Sequence, residues 1–318
     1  MGKEKKLYIG IDLGGTSVKV GLCDEQGSLL AVYEGPTEAE KRAEGVMQNI
    51  ELYVRELVTR EGCAWEQIAG VGAGIPGFLD ISAGLVKASP NLGWKDVPVK
   101  EILEARLGKE VRIDNDANAA ALGEVWSGAA AGIANVVCYT LGTGVGGGIV
   151  VKNTLCQGFN GMGGEIGHLN VVPAAEAIIC GCGQKGCLET VSSATGIIYM
   201  AKEAVIRGEQ TSLAHIREIS AKDVLDEAKA GDRVALRIVD RAADYLGKSM
   251  ALLSVVVNPQ RFVVGGGVAK AGSFLLERIE GYFREYSLEN AKANVDIVPA
   301  ILGNNAGVVG AAGLHIFG

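Results

Sequence analysis

Two stretches far apart in this chain follow one plan. Ile9-Gly10-Ile11-Asp12-Leu13-Gly14-Gly15-Thr16 and Val137-Cys138-Tyr139-Thr140-Leu141-Gly142-Thr143-Gly144 each read as an apolar strand and a turn of glycine and threonine, with a second apolar strand following. A repeat at so long a period predicts two domains of similar topology facing each other, because solenoid units recur every 20–50 residues or so. With 318 residues the chain is long enough for two α/β domains with a packed core each. The crossover is expected near Ala117. That gives a smaller N-terminal α/β domain over 1–116, to which a C-terminal helix near 303–318 returns, and a larger one over 117–302.

The opening residues read as strands over 7–12, 18–23 and 29–34, the last two joined by a turn at Asp24-Glu25-Gln26-Gly27. Thr37-Glu38-Ala39-Glu40 has the spacing of a helix capping box, and Val46, Ile50, Tyr53, Val54, Leu57 and Val58 follow at helical intervals. A strand is expected over 68–74, a helix over 99–107 stopped at Gly108, and a strand over 111–114 that runs into a helix at Asn115. The remainder is rich in helix, with candidates over 193–207, 221–230, 234–257, 274–283 and 306–316. The third of these ends at Asn258-Pro259, as proline demands. A strand over 261–264 leads into Gly265-Gly266-Gly267.

The net charge of −7 and the lack of a Lys/Arg stripe argue against nucleic acid as a partner. A phosphate-bearing ligand would then be held mainly by backbone N–H groups and a metal. The uncharged run over 125–151 is so rich in glycine that it suits turns and strands, not a membrane span. Met1-Gly2-Lys3-Glu4-Lys5-Lys6 leads directly into an apolar strand with no secretory leader pattern, so a reducing cytoplasm is the expected home.

That compartment bears on the cysteines. Cys23, Cys63, Cys138 and Cys156 stand singly in apolar runs and are expected as buried small hydrophobes. Cys180, Cys182 and Cys187 cluster among glycines and polar residues, and His168 lies shortly before them. Three cysteines and one histidine are the ligand set of a closed, structural zinc site; a disulfide is the competing reading, disfavoured by the cytoplasm. Glu165 and Glu189 flank the set. Carboxylates fixed on a metal-bound loop are acceptors of the kind a polyhydroxylated ligand such as a sugar needs.

Asp12-Leu13-Gly14-Gly15-Thr16 should put a carboxylate at the end of a buried strand, with glycines that let backbone N–H groups approach a phosphate. There Asp12 could hold Mg²⁺ and Thr16 could donate to a phosphoryl oxygen. A tight turn capped by Asp is the plainer alternative, and the second Gly/Thr turn at Gly142-Thr143-Gly144 favours a phosphate grip. Gly265-Gly266-Gly267 offers a place where a flat ring could lie against backbone. It lacks the dinucleotide-binding spacing, and no P-loop is present. The general base is sought among carboxylates at a strand end. Asp116 is best placed, at a helix N-terminus that favours the anion; simple helix capping by Asp114 or Asp116 is the alternative.

Together these strings, with Gly74-Ile75-Pro76-Gly77, Asp114-Asn115-Asp116-Ala117-Asn118 and Gly164-Glu165-Ile166-Gly167-His168, resemble the ROK family of sugar kinases and sugar-responsive repressors, in the family's order from Ile9 to Gly267. Within the family the resemblance is strongest to bacterial ATP-dependent kinases of glucose. It implies an α/β, actin-like ATPase (ribonuclease H-like, hexokinase-type) fold with sugar and Mg-ATP in an interdomain cleft. The implied activity is transfer of phosphate from ATP to the 6-hydroxyl of glucose, a step of glycolysis and carbohydrate metabolism, with Asp116 as base. Sugar contacts are implied at Gly77, Asn115, Asp116, Glu165, His168 and Glu189. Phosphate contacts are implied at Asp12, Gly14, Gly15, Thr16 and Thr143, adenine contacts at Gly265 and Gly266, and zinc ligation at His168, Cys180, Cys182 and Cys187. A homodimer is implied by the resemblance alone. An N-acylmannosamine kinase, a fructokinase or a broad hexokinase could use the same residues. A sugar-sensing regulator is the non-enzyme alternative, and the six residues before the first strand leave no room there for the repressors' DNA-binding domain.

Overall fold

A computed structural model of the chain describes residues 6–317. The rest of the charged leader, on which the expectation of a cytoplasmic home was based, lies outside the described residues, as does Gly318. In chain order the elements are β1 (Leu7–Leu13), β2 (Ser17–Asp24), β3 (Leu29–Pro36), α1 (Arg42–Arg60), β4 (Ile68–Ile75), β5 (Phe78–Asp80), β6 (Leu85–Ser89), β7 (Trp94–Val97), α2 (Val99–Leu107), β8 (Val111–Asn115) and α3 (Asp116–Trp126). They continue as β9 (Val136–Leu141), β10 (Val145–Val151), β11 (Thr154–Leu155), α4 (Glu189–Ser192), α5 (Ala194–Ile206), α6 (Ala221–Lys229), α7 (Arg233–Val256), β12 (Arg261–Gly265), α8 (Ser273–Tyr286), α9 (Glu289–Lys292), β13 (Asp296–Pro299) and α10 (Ala306–Phe317). Among the described residues no helix is long and apolar enough to cross a membrane.

The repeat seen in sequence is a repeat of sheet topology. One five-stranded sheet has the order β3-β2-β1-β4-β8 and the other β11-β10-β9-β12-β13. Each therefore places its first strand at the centre. In the first sheet β1 pairs antiparallel with β2 and parallel with β4, and β8 continues parallel. In the second, β12 lies parallel to both β9 and β13. The chain groups into two compact units, Met1–Ala134 with Gly148–Gly164 and Ile301–Gly318, and Asn135–Gly147 with Glu165–Ala300.

Period-two alternation explains how the first sheet is covered. Leu7, Ile9, Ile11 and Leu13 of β1 enter a core with Val46, Ile50, Val54 and Leu57 of α1, the face expected from helical spacing. Tyr8, on the opposite side, packs with Val308, Val309 and Ala312 of α10. Each fully buried Val, Leu or Ile of this kind contributes about 1.5–3 kcal/mol relative to exposure. Helix α3, which begins at the crossover expected from sequence, packs within the first unit against α10. A Cβ on Gly310 would stand 1.6 Å from the Ala119 carbonyl oxygen, so this helix pair closes only around glycine.

Two expectations change, and a third feature was not foreseen. The capping box at Thr37 does not form: the buried Thr37 hydroxyl donates to the Gly14 carbonyl at 2.7 Å. Glu38 takes a left-handed φ of 53°, a 3₁₀ turn covers Ala39–Lys41, and α1 starts only at Arg42. A hydroxyl committed to a distant carbonyl cannot cap a helix. Second, Cys63 is half-buried and Cys156 exposed, while Cys23 and Cys138 are buried as expected. Cys63 sits in the turn after α1, and Cys156 follows the two-residue strand β11 at the edge of its sheet. Third, residues 78–97 form a small antiparallel sheet of order β5-β6-β7, whose strands are too short to announce themselves by periodicity.

Candidate active site

Parallel strands end at a common edge, and that is what gathers the first unit's candidate site residues. Asp12, Gly74 and Asp114 stand side by side in the registers of β1, β4 and β8. The turns that follow these strands carry Gly14-Gly15-Thr16, Gly77 and Asn115-Asp116, in the manner of α/β proteins that bind ligands beyond the carboxyl ends of their strands. Asn115 Nδ2 donates to the Gly77 carbonyl at 3.5 Å.

The helix cap falls to neither aspartate. Asn115 Oδ1 accepts from the N–H of Ala117 at 2.8 Å and of Asn118 at 3.3 Å. Asp114 is fully buried and accepts from Asn115 N–H at 2.7 Å, Asn118 Nδ2 at 2.8 Å and Gln157 Nε2 at 2.5 Å. It is therefore the internal brace of the turn, and three donors offset part of the cost of burying its charge. Asp116 is half-buried, and burial pushes its carboxyl above the usual carboxylate range, against the pull of the Ala117 N–H. A raised carboxyl is a stronger base once ionised.

Burial also raises Asp12, from 3.8 to about 6, with the Asp116 charge adding to the rise and Lys19 opposing it. Lys19 lies directly across the ladder from Asp12, and its ammonium donates to the Asn304 carbonyl at 2.7 Å. The first turn of α10 abuts the Asp12 carboxylate, where a Cβ on Gly307 would lie 2.5 Å from Oδ2. Carboxylate oxygens in this setting suit a hard cation that keeps much of its water and meets substrate phosphates.

In the second unit, β9 and β12 run parallel with Gly265 opposite Thr140, so the turns after them are neighbours. Thr143 is exposed in the first of these turns, closed by Gly142 N–H to Gly144 carbonyl at 3.0 Å. Gly266, at φ 88°, begins the second and lies against the Leu141 backbone.

The cysteine loop packs in the same unit. Donor atoms of His168, Cys180, Cys182 and Cys187 all lie within 4.8 Å of one another. Cys182 Sγ stands 3.7 Å from Cys187 Sγ, and Cys180 Sγ stands 3.7 Å from His168 Nδ1. The loop is tied by Cys180 N–H to Gln184 carbonyl at 2.8 Å and Gly183 N–H to Cys180 carbonyl at 2.9 Å. Burial raises the thiols of Cys180 and Cys187, whereas the Gln184 backbone holds Cys182 below its usual value. This donor set fits a tetrahedral zinc ion. Both acids singled out beside it face the histidine: Glu165 Oε2 lies 3.9 Å from Nε2, and Glu189 Oε1 lies 3.9 Å from Nδ1 and 2.8 Å from Cys180 Sγ.

Paired five-stranded sheets of matching order, each with glycine turns at the carboxyl ends of its central strands, define the actin-like, hexokinase-type ATPase fold. Within that class the chain belongs to the ROK family, whose pattern matches residues 8–316. A glucokinase of Halalkalibacterium halodurans is 41% identical over 307 residues, covering 95% of this chain and 93% of its own. The structure of a ROK hexokinase from Thermus thermophilus superposes with a TM-score of 0.84 at 32% identity, covering 96% of each chain. That of a ROK family glucokinase from Streptomyces griseus, in complex with glucose and AMPPNP, does so with a TM-score of 0.77 at 35% identity, covering 97% of this chain and 98% of its own.

Sequence reading missed several residues that shape these sites. Gln157 reaches Asp114 only through the fold and does not stand out by type or spacing, whereas Asn118 lay within the Asp114–Asn118 string with no role assigned to it. Thr37 was visible but assigned to a helix cap. Gly307 left a signal: the run Ala306-Gly307-Val308-Val309-Gly310-Ala311-Ala312-Gly313 marks a helix whose small residues admit close neighbours.

Proposed function

We propose that this protein is an ATP-dependent glucokinase, transferring the γ-phosphoryl group of ATP to the 6-hydroxyl of glucose. The observation that carries the reading is the Asn115-Asp116 turn. Asn115 caps α3 and Asp114 braces the turn from within, so Asp116 is relieved of both tasks at the edge where Asp12 and the Gly14-Gly15-Thr16 turn also lie. Identity of 41% to one glucokinase and 35% to another, each over nearly the whole chain, supports the same reaction.

In the proposed reaction Asp116 accepts the proton of the sugar's 6-hydroxyl as that oxygen forms its bond to the γ-phosphorus. The bond from phosphorus to the bridging oxygen breaks, and ADP leaves. Backbone N–H groups of Gly14 and Gly15, with the hydroxyls of Thr16 and Thr143, hold phosphate oxygens, and adenine lies against Gly265 and Gly266. Asp12 would hold the magnesium that arrives with the nucleotide, and that ion would supply neutralisation of phosphate charge. Asn115, Glu165, His168 and Glu189, with backbone at Gly77, hold the sugar's hydroxyls. His168, Cys180, Cys182 and Cys187 would hold a structural zinc ion, which would fix the loop, and His168 would keep its other ring nitrogen on the Glu165 side for the sugar. Positioning and electrostatics supply most of the rate in phosphoryl transfer, and the base contributes about 10²–10⁴-fold.

The test is the initial rate of ADP release with Mg-ATP across glucose, mannose, fructose, N-acetylglucosamine and N-acetylmannosamine. A kcat/KM dominated by glucose is expected. Preference for an acylamino sugar or fructose would overturn the substrate and keep the chemistry, and no turnover with any sugar would overturn the kinase reading.

A further inference from the structure

The turn Gly14-Gly15-Thr16 poses a conformational problem. Two successive glycines reach both signs of φ at little cost, so the peptide plane between them is free to flip and point its N–H either way. Binding a phosphate requires one of those orientations. Within the turn, Gly14 N–H donates to the Ser17 carbonyl at 2.9 Å, which fixes the peptide before Gly14 and leaves the next one free.

Thr37 supplies the missing constraint. Its hydroxyl donates to the Gly14 carbonyl at 2.7 Å, and its N–H donates to the Thr16 carbonyl at 3.0 Å. In a trans peptide the carbonyl and the following N–H point in opposite directions. Pinning the Gly14 carbonyl toward Thr37 therefore turns the Gly15 N–H away from Thr37, and pinning the Thr16 carbonyl does the same for Ser17. Thr37 is 0% exposed, so no water competes for these carbonyls from its side.

Thr37 is itself anchored from α1. Tyr53 donates its hydroxyl to the Pro36 carbonyl at 3.0 Å, and Asn49 Nδ2 reaches the Thr37 carbonyl at 3.5 Å and Glu38 Oε2 at 2.8 Å. Glu38, at φ 53°, and Arg42, at φ 60°, hold left-handed backbone on either side of the 3₁₀ turn that follows. The chain thus gives up a straightforward helix start at this point, a local compromise of the kind expected where another demand decides the geometry.

We propose that Thr37 is a positioning residue for nucleotide binding: its hydroxyl locks the Gly14–Gly15 peptide so that the turn presents preorganised N–H donors to the phosphates of ATP. The inference rests on the proposal that this turn holds phosphate, and the test separates the two. Thr37→Val keeps shape and backbone N–H but removes the hydroxyl, Thr37→Ser keeps the hydroxyl, and Thr16→Val reports on the turn directly. KM for Mg-ATP and for glucose, AMPPNP affinity by calorimetry, and hydrogen exchange at Gly15 are measured for each.

Thr37→Val is expected to raise the KM for Mg-ATP and weaken AMPPNP by about tenfold, the usual consequence of leaving one buried acceptor unmet. Glucose KM should stay within about twofold, Gly15 should exchange faster, and Thr37→Ser should restore parent values. If Thr16→Val weakens nucleotide while Thr37→Val does not, the Thr37 inference is wrong and the phosphate reading stands. If neither affects nucleotide, both fail. Equal shifts for sugar and nucleotide that track a loss in Tm would reduce Thr37 to a packing role. Should Thr37→Val not fold, Thr37→Ala, which adds no methyl against the carbonyl, is read by the same criteria.

Discussion

Cys182 Sγ and Cys187 Sγ stand 3.7 Å apart, close to the separation of about 3.8 Å that two thiolates take along one edge of a zinc tetrahedron with Zn–S bonds near 2.3 Å. Two backbone hydrogen bonds around Cys180 hold the remaining sulfur in place. The expected outcome is one zinc per chain by elemental analysis, lost on Cys182→Ser or prolonged chelation. Small peptide sites draw about 10–16 kcal/mol of apparent free energy from such an ion. Here the loop joins a unit with a core of its own, so removal should lower Tm and raise the glucose KM without global unfolding. Protein that is fully active and metal-free would eliminate the site.

Asp116→Asn removes the proposed base and keeps the shape of the side chain. Asn115 still caps α3, so the fold should be preserved and Tm should shift by no more than a few degrees. Turnover should fall by about 10²–10⁴-fold, with glucose KM changing far less than kcat. Single-turnover mixing of enzyme, Mg-ATP and glucose reads the chemical step directly, and wild-type rates there would remove Asp116 from the role.

How much of this was legible in the sequence depends on whether a residue acts through its neighbours along the chain or through space. Helix α2 ends at Gly108, with φ 63°, where glycine and the last apolar position said it would, and α7 stops short of Asn258-Pro259; both are local effects. The matching order of the two large sheets was foreshadowed by paired Gly/Thr turns. Asn115 as the cap was hidden because aspartates flank it and all three residues are good caps. The brace from Gln157 to Asp114 spans a sequence separation of 43 residues and left no pattern. Thr37 was misread because a capping-box spacing is a local rule, and here a carbonyl 23 residues away won the hydroxyl.

Glu189 offers a way to separate sugar binding from metal binding. Its Oε1 lies 2.8 Å from Cys180 Sγ, yet the Cys₃His set would fill a zinc tetrahedron without it. Glu189→Gln is expected to retain zinc and raise glucose KM by roughly tenfold or more, since hydrogen bonds to charged acceptors are worth about 1.5–3 kcal/mol. Mg-ATP KM should move little. Loss of zinc in this variant would instead assign Glu189 to the metal's support.

Asp12 links function to a stability cost with a definite sign. Its carboxyl is raised from 3.8 to about 6 in the folded chain, so the native state holds this proton more tightly than the unfolded state. Stability from this group is full below about pH 4, declines as pH rises toward 6, and stays low above that. The gap of about two units corresponds to at most about 3 kcal/mol. Lys19 stands opposite Glu34 in the β2–β3 register and donates to the Asn304 carbonyl, so its ammonium keeps a hydrogen-bond acceptor if Asp12 is neutralised. Asp12→Asn, which cannot ionise, should therefore raise Tm of the ligand-free protein at pH 7.5 and lose that advantage near pH 4. The same change should abolish the Mg-ATP-dependent increase in Tm, because the carboxylate is no longer there to meet the cation. A variant less stable than the parent at neutral pH would show that the Asp12 charge is compensated in the native fold, by Lys19 and by the first turn of α10 at Gly307, more fully than its burial implies.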